Sequence, residues 1–92
     1  MLKSDLIEKV AREMNMNNDI AQLVINNVFD AMTEALSRGE SIEIRGFGSF
    51  SVRTYASREG RNPKSGAKVA VPPRKKPFFK VGKELKNRVN TL

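Results

Sequence analysis

The chain has no cysteine, no histidine and no tryptophan. Without cysteine there are no disulfides and no thiolate metal sites. Without histidine or cysteine the usual general bases and nucleophiles are gone. The carboxylates lie mostly on the N-terminal helical segments at solvent-face spacing. No activated nucleophile can be paired with a base, so the chain is not expected to be an enzyme, to use a cofactor or to hold a metal. Long hydrophobic runs are missing too, which excludes a membrane-spanning helix. The first residues, Met1-Leu2-Lys3-Ser4-Asp5, put an acid where a signal peptide needs an apolar core, so a cytoplasmic location is expected. Aromatic residues are few: Tyr55 is the sole tyrosine, and the phenylalanines occupy core-like positions. That weakens the alternative reading of a basic RNA-binding or ribosome-associated protein, because sequence-specific RNA modules usually offer aromatic stacking platforms.

Acidic residues are scarce in one half only. Residues 1–40 hold four basic and seven acidic residues, a net of −3. Residues 41–92 hold thirteen basic residues against Glu43, Glu59 and Glu84, a net of +10. Such asymmetry points to a polyanionic partner met mainly by the second half. The length of 92 residues predicts a single domain, residues 1–92. A domain this small buries a modest share of its surface, and oligomerisation is the remaining way to stabilise it.

Hydrophobic spacing predicts a helix over residues 3–14, with Ser4 as N-cap and Leu6, Ile7, Val10, Ala11 and Met14 on one face. The polar stretch Asn15-Met16-Asn17-Asn18 interrupts the pattern. Asn17 or Asn18 then caps a second helix, which runs to about Arg38 and stops at Gly39. Ile20, Leu23, Val24, Val28, Ala31, Ala35 and Leu36 form its apolar stripe, and Ile25, Phe29 and Met32 widen it. So wide an arc expects neighbours on more than one side, which favours a dimer interface over an ordinary core helix.

After Gly39 the period changes to two. Ile42 and Ile44 alternate with Glu43 and Arg45, Gly46-Phe47-Gly48 supplies a turn, and Phe50, Val52 and Thr54 continue a β-hairpin. A further strand is predicted from Lys76 to Val81, and a basic helix over residues 83–90 with Leu85 and Val89 on its apolar edge. Residues 41–54 and 76–81 thus form a sheet, and residues 55–75 read best as a second hairpin, an arm leaving the body. Its limbs reach roughly 27 Å at about 3.4 Å per residue. Pro72-Pro73 blocks ordinary ladder pairing at the base of one limb. An isolated ribbon is marginal in water, so an arm that is mobile until it binds is expected.

The tip of this arm is Gly60-Arg61-Asn62-Pro63-Lys64-Ser65-Gly66. Asn-Pro initiates turns, and a proline between cations is either a plain turn residue or an apolar wedge able to enter a base step. Arg53, Arg58, Arg61, Lys64, Lys68, Arg74, Lys75 and Lys76 line the arm and its base.

Three linked segments carry a resemblance over essentially the whole chain. They are Ile42-Glu43-Ile44-Arg45-Gly46-Phe47-Gly48-Ser49-Phe50, the tip just quoted, and Pro77-Phe78-Phe79-Lys80-Val81-Gly82-Lys83-Glu84-Leu85-Lys86. In order and spacing the chain resembles the HU and integration host factor family of bacterial DNA-bending proteins. The resemblance implies an α+β fold. Two chains intertwine on an N-terminal helical base beneath an antiparallel sheet saddle. Each has a protruding β-ribbon arm and a short C-terminal helix. It implies double-stranded DNA as partner, embraced through the minor groove, in the bacterial nucleoid. It implies a homodimer, or a heterodimer with a paralogous subunit, joined through residues such as Val28, Phe29, Met32, Leu36, Phe47, Phe50 and Phe79. Pro63 would intercalate, flanked in the groove by Arg61, Asn62 and Lys64. Arg53, Arg58, Lys68, Arg74, Lys75, Lys76 and Lys80 would line arm and saddle. Lys83, Lys86 and Lys3 would meet phosphates from the last and first helices. The Ile42–Phe50 stretch looks most like the beta-subunit branch of integration host factor, where the positions of Glu43 and Arg45 help recognise a sequence element. On the residues alone Glu43 is a solvated strand residue and Arg45 a phosphate contact. The segment from Val71 to Pro77 is more proline-rich and basic than the family pattern.

Overall fold

A short amphipathic helix and a longer, more apolar one are joined by a turn that the asparagines build. The computed structural model describes residues 1–56, 58–61, 64–66 and 68–91, with the backbone alone for residues 58, 59, 61 and 68–71. Helix α1 spans Lys3–Glu13. Its N-cap is Leu2, not Ser4, which lies inside the first turn. The Leu2 amide donates to the Asp5 carboxylate at 2.8 Å. A carboxylate three residues in accepts this otherwise orphaned donor, so the helix starts earlier than the serine suggested. At the other end Asn15 takes a positive φ of 54° and the Met16 amide donates to the Ala11 carbonyl at 2.9 Å. This is the six-to-one bond of a Schellman cap, and asparagine tolerates the left-handed position well. Of the two candidate caps for the next helix, Asn17 is used: its side-chain oxygen accepts the Ile20 amide at 2.9 Å.

Helix α2 spans Asn18–Ser37 and ends at Gly39, whose φ of 82° and amide bond to the Leu36 carbonyl form a left-handed C-terminal cap. By contact density the chain divides into Met1–Ala35 and Leu36–Leu92. In the first unit the buried apolar side chains are Ala11, Ala21 and Ile25. The stripe expected on α2 stays largely open to solvent in one chain: Leu23 is 58%, Val28 49% and Phe29 43% exposed.

The second unit holds strands β1 (Ile42–Ile44), β2 (Gly48–Tyr55), β3 (Arg58–Arg61), β4 (Lys68–Val71) and β5 (Arg74–Val81), then helix α3 (Lys83–Val89). One antiparallel sheet has the order β1-β2-β5, and β3 pairs with β4 as a separate two-stranded sheet. Strand β5 begins two residues before the predicted Lys76 and contains Pro77. Proline fits because β5 is an edge strand, where a missing amide costs no ladder bond on the open side. Pro72 and Pro73 fall between β4 and β5, where pairing changes partner.

The β1–β2 turn is Ile44–Phe47, closed by the Phe47 amide on the Ile44 carbonyl at 3.0 Å, with Gly46 at φ 83°. Gly48 therefore is not a turn glycine, as expected, but the first residue of β2, opposite Val81. Its missing side chain makes room for the Phe79 ring and the Lys80 carbonyl. Helix α3 is pinned to the same turn through the Gly82 amide, which donates to the Phe47 carbonyl at 2.9 Å. Only half of its predicted apolar edge is used: Leu85 is half-buried while Val89 is 73% exposed.

Candidate nucleic-acid interface

Pleating sends alternate residues of a strand to opposite faces, and residues directly opposite in an antiparallel ladder share a face. The β2–β5 register pairs Ser49 with Lys80, Ser51 with Phe78, Arg53 with Lys76 and Tyr55 with Arg74. These eight residues share one face, joined by Glu43 of β1, which stands opposite Ser49. The other face collects Phe50, Val52, Phe79, Val81, Ile42 and Ile44. Phe79 packs against Phe50 and Phe47 there, with centroids 4.9 and 5.5 Å apart and rings tilted. The sheet is therefore sorted into an aromatic, aliphatic side and a cationic, polar side.

The cationic side is not neutralised from within. Among the described residues Lys9 pairs with Glu13 at 3.3 Å and Arg38 with Glu40 at 2.9 Å. Neither involves Arg53, Arg74, Lys76 or Lys80. This row of cations without an ion-pair partner gives the face a positive potential. Two of these cations rest on aromatic rings. The Arg53 guanidinium lies 3.4 Å from the Phe78 centroid and the Lys76 ammonium 5.6 Å from the Tyr55 centroid. Phe78, although half-buried, thus lies on the cationic face and outside the Phe47, Phe50 and Phe79 cluster, which corrects the sequence-based view that the phenylalanines share one core. Phe78 was misplaced because two adjacent phenylalanines carry no sign of which faces inward. The alternation Lys76-Phe78-Lys80 against Pro77-Phe79-Val81 was the available clue.

Near the β1–β2 turn an open depression of about 370 Å³ is lined by Glu43, Arg45, Ser49, Lys80 and Lys83 together with Gly46, Gly48 and Gly82. Arg45 stands in the turn, and Lys83 opens α3 with Lys86 one turn later. Lys75 pairs with Thr54 and so points to the face away from Arg74 and Lys76. Lys3 belongs to the first unit, where its ammonium donates to the Asn26 side chain at 2.9 Å. Of the expected interface residues there, Val28 and Phe29 are exposed and Met32 is half-buried.

In the two-stranded ribbon Arg61 stands opposite Lys68 and Arg58 opposite Val71 along the backbone. Lys64 and Ser65 form an exposed turn followed by Gly66 at φ 70°. Asn62 and Pro63, and the side chains of Arg58, Arg61 and Lys68, lie outside the described residues. No helix among the described residues is long and apolar enough to cross a membrane, and no cluster of three or more metal-ligating side chains occurs among them.

The family model described as bacterial DNA-binding protein matches residues 1–90. Integration host factor subunit beta of Saccharophagus degradans is 50% identical over 91 residues, covering 98% of this chain and 93% of the relative. Its counterpart in Nitrosospira multiformis is 48% identical over 91 residues, with coverages of 98% and 97%. An Anabaena HU–DNA cocrystal structure superposes with a TM-score of 0.86 at 34% identity, covering 98% of both chains. HU from Thermotoga maritima gives a TM-score of 0.67 at 30% identity, covering 98% of this chain and 100% of the other. The chain belongs to the HU and integration host factor family of bacterial DNA-binding proteins, which are architectural and non-enzymatic.

Proposed function

We propose that this chain binds double-stranded DNA as half of a dimer and bends it, with the cationic sheet face on the phosphates and the β3–β4 arm in the minor groove. The observation that carries the reading is the sorted sheet: Arg53, Arg74, Lys76 and Lys80 share one face with no described acid paired to them. The bacterial DNA-binding family and the DNA of the Anabaena HU cocrystal support DNA as the ligand. Arg58, Arg61, Lys64 and Lys68 extend the cationic track along the arm, and Lys3, Arg45, Lys75, Lys83 and Lys86 supply flanking phosphate contacts. Pro63 wedges between base pairs at the tip, with Asn62 beside it. Bending a short site by 40–90° costs about 1–6 kcal/mol, offset by the extra protein surface the bent duplex meets. The chain would work in the nucleoid.

Pro63→Ala tests the wedge. The bend measured by energy transfer between dyes at the two ends of a duplex is expected to fall by about 20° or more. An unchanged bend and affinity would leave Pro63 a plain turn residue.

Two copies are expected because α2 offers solvent more apolar surface than a lone chain tolerates. Val28 is the probe. In a lone chain, replacing a half-exposed valine by aspartate shifts stability by about 0.5 kcal/mol. In a dimer interface it buries an unpaired charge at a cost of several kcal/mol. Val28→Asp is therefore expected to shift sedimentation from dimer to monomer and to lower the melting temperature steeply. A melt within a few degrees of wild type would place α2 outside the interface.

The RNA-binding alternative gains one observation, two aromatic rings on the cationic face. Arg53 already covers the Phe78 ring, however, so that ring offers no open platform to a base. Structured RNA is accordingly expected to compete poorly with duplex DNA at equal nucleotide concentration.

A further inference from the structure

Arg53 and Lys76 stand directly opposite each other in the β2–β5 register, on the same face. Like charges at such a pair, with Cβ atoms about 4.5–5.5 Å apart, repel and destabilise a sheet. No described acid relieves them. The side chains instead lean apart. Arg53 lies over Phe78, two residues beyond Lys76 on β5, and Lys76 leans to Tyr55, two residues beyond Arg53 on β2. Phe78 is level with Ser51 and Tyr55 with Arg74. The two rings are therefore four residues apart along the ladder, about 14 Å at 3.4 Å per residue. Neither ring is needed for the apolar side of the sheet, which Phe47, Phe50 and Phe79 fill from the opposite face.

We propose that Phe78 and Tyr55 are positioning residues for the DNA backbone: their rings hold Arg53 and Lys76 apart and extended before binding, so that each cation meets its own phosphate. The proposal rests on the reading that this face binds duplex DNA. An exposed arginine or lysine normally gives up rotamer freedom when it engages a phosphate. A side chain already held on a ring has less freedom to lose. Removing the ring therefore weakens binding without changing how many phosphates are neutralised, whereas removing the cation changes both.

The test uses the full chain and a fluorescently labelled random-sequence duplex, titrated over a series of salt concentrations. Phe78→Leu keeps apolar volume and loses the π face. It is expected to weaken binding about threefold to tenfold with an unchanged salt slope. Phe78→Tyr is expected to bind as wild type. Arg53→Gln is expected to make the slope shallower by about 0.9 for each bound copy. In the Arg53→Gln background, Phe78→Leu is expected to have no further effect. The same cycle with Tyr55→Leu and Lys76→Gln provides an independent pair, since Tyr55 is exposed and its loss leaves packing intact. Equal losses from Phe78→Leu in both backgrounds would overturn the proposal, as would a Phe78→Tyr variant no better than Phe78→Leu. If Arg53→Gln and Lys76→Gln leave affinity and slope at wild-type values, the face does not bind DNA and the parent reading falls with it.

Discussion

Gly48→Ala is expected to lower the melting temperature by more than about 10 °C, read by circular dichroism. A Cβ on Gly48 would come within 2.5 Å of the Lys80 carbonyl oxygen and 2.6 Å of the Phe79 ring. The first obstacle is backbone and cannot rotate away. The second is the ring that packs with Phe47 and Phe50, so moving it loosens the aromatic cluster. Overpacking of this kind costs about 3 kcal/mol or more when the neighbour is fixed. In a domain of this size each kcal/mol is worth about 4–8 °C. Gly39→Ala is the control. It has a positive φ of 82° but nothing within 4 Å, so only backbone strain of about 1–2 kcal/mol is expected. If the two variants melt together, the Phe79 ring does not lie over Gly48. The effect reaches function because β2 and β5 carry the cationic face on their other side.

The second large effect is on affinity. Arg53, Arg74, Lys76 and Lys80 from each of two copies offer eight cations to the duplex. At about −0.9 per phosphate these eight contribute about −7 to the slope of log affinity against log salt, and the arm and flanking cations add to it. Raising salt from about 50 to 200 mM then weakens binding at least on the order of ten-thousandfold. The triple variant Arg53→Gln, Lys76→Gln, Lys80→Gln removes six of the eight and is expected to flatten the slope by about 5. Because these side chains stand on the solvent side of the sheet, the variant should melt close to wild type. A slope left unchanged by the triple variant would move the contact surface elsewhere on the chain.

Much of this was legible in the residues. The change of period after Gly39, the near absence of acids beyond residue 40 and the Asn-Pro tip pointed to helices, a sheet, an arm and an anionic partner. Caps and turns were less legible, since Ser4, Asp5, Asn17 and Asn18 compete for a few orphaned amides. The competition is decided by which oxygen lies within about 3 Å, and spacing alone does not fix that. Gly48 was misread for the same reason: a glycine beside a turn and a glycine beneath an aromatic ring look alike in one dimension.

The chemistry of the chain was set by its sequence alone. It holds thirteen cations against three acids beyond residue 40, no catalytic histidine or cysteine, and an apolar stripe too wide for one small chain. Which cations act together was decided by the tertiary structure. Strand register puts Arg53, Arg74, Lys76 and Lys80 on one face, turns Lys75 to the other, and separates Phe78 from Phe79. The physical reason is the two-residue pleat: a side chain's face depends on pairing with a strand some twenty residues away, and no local pattern carries that information.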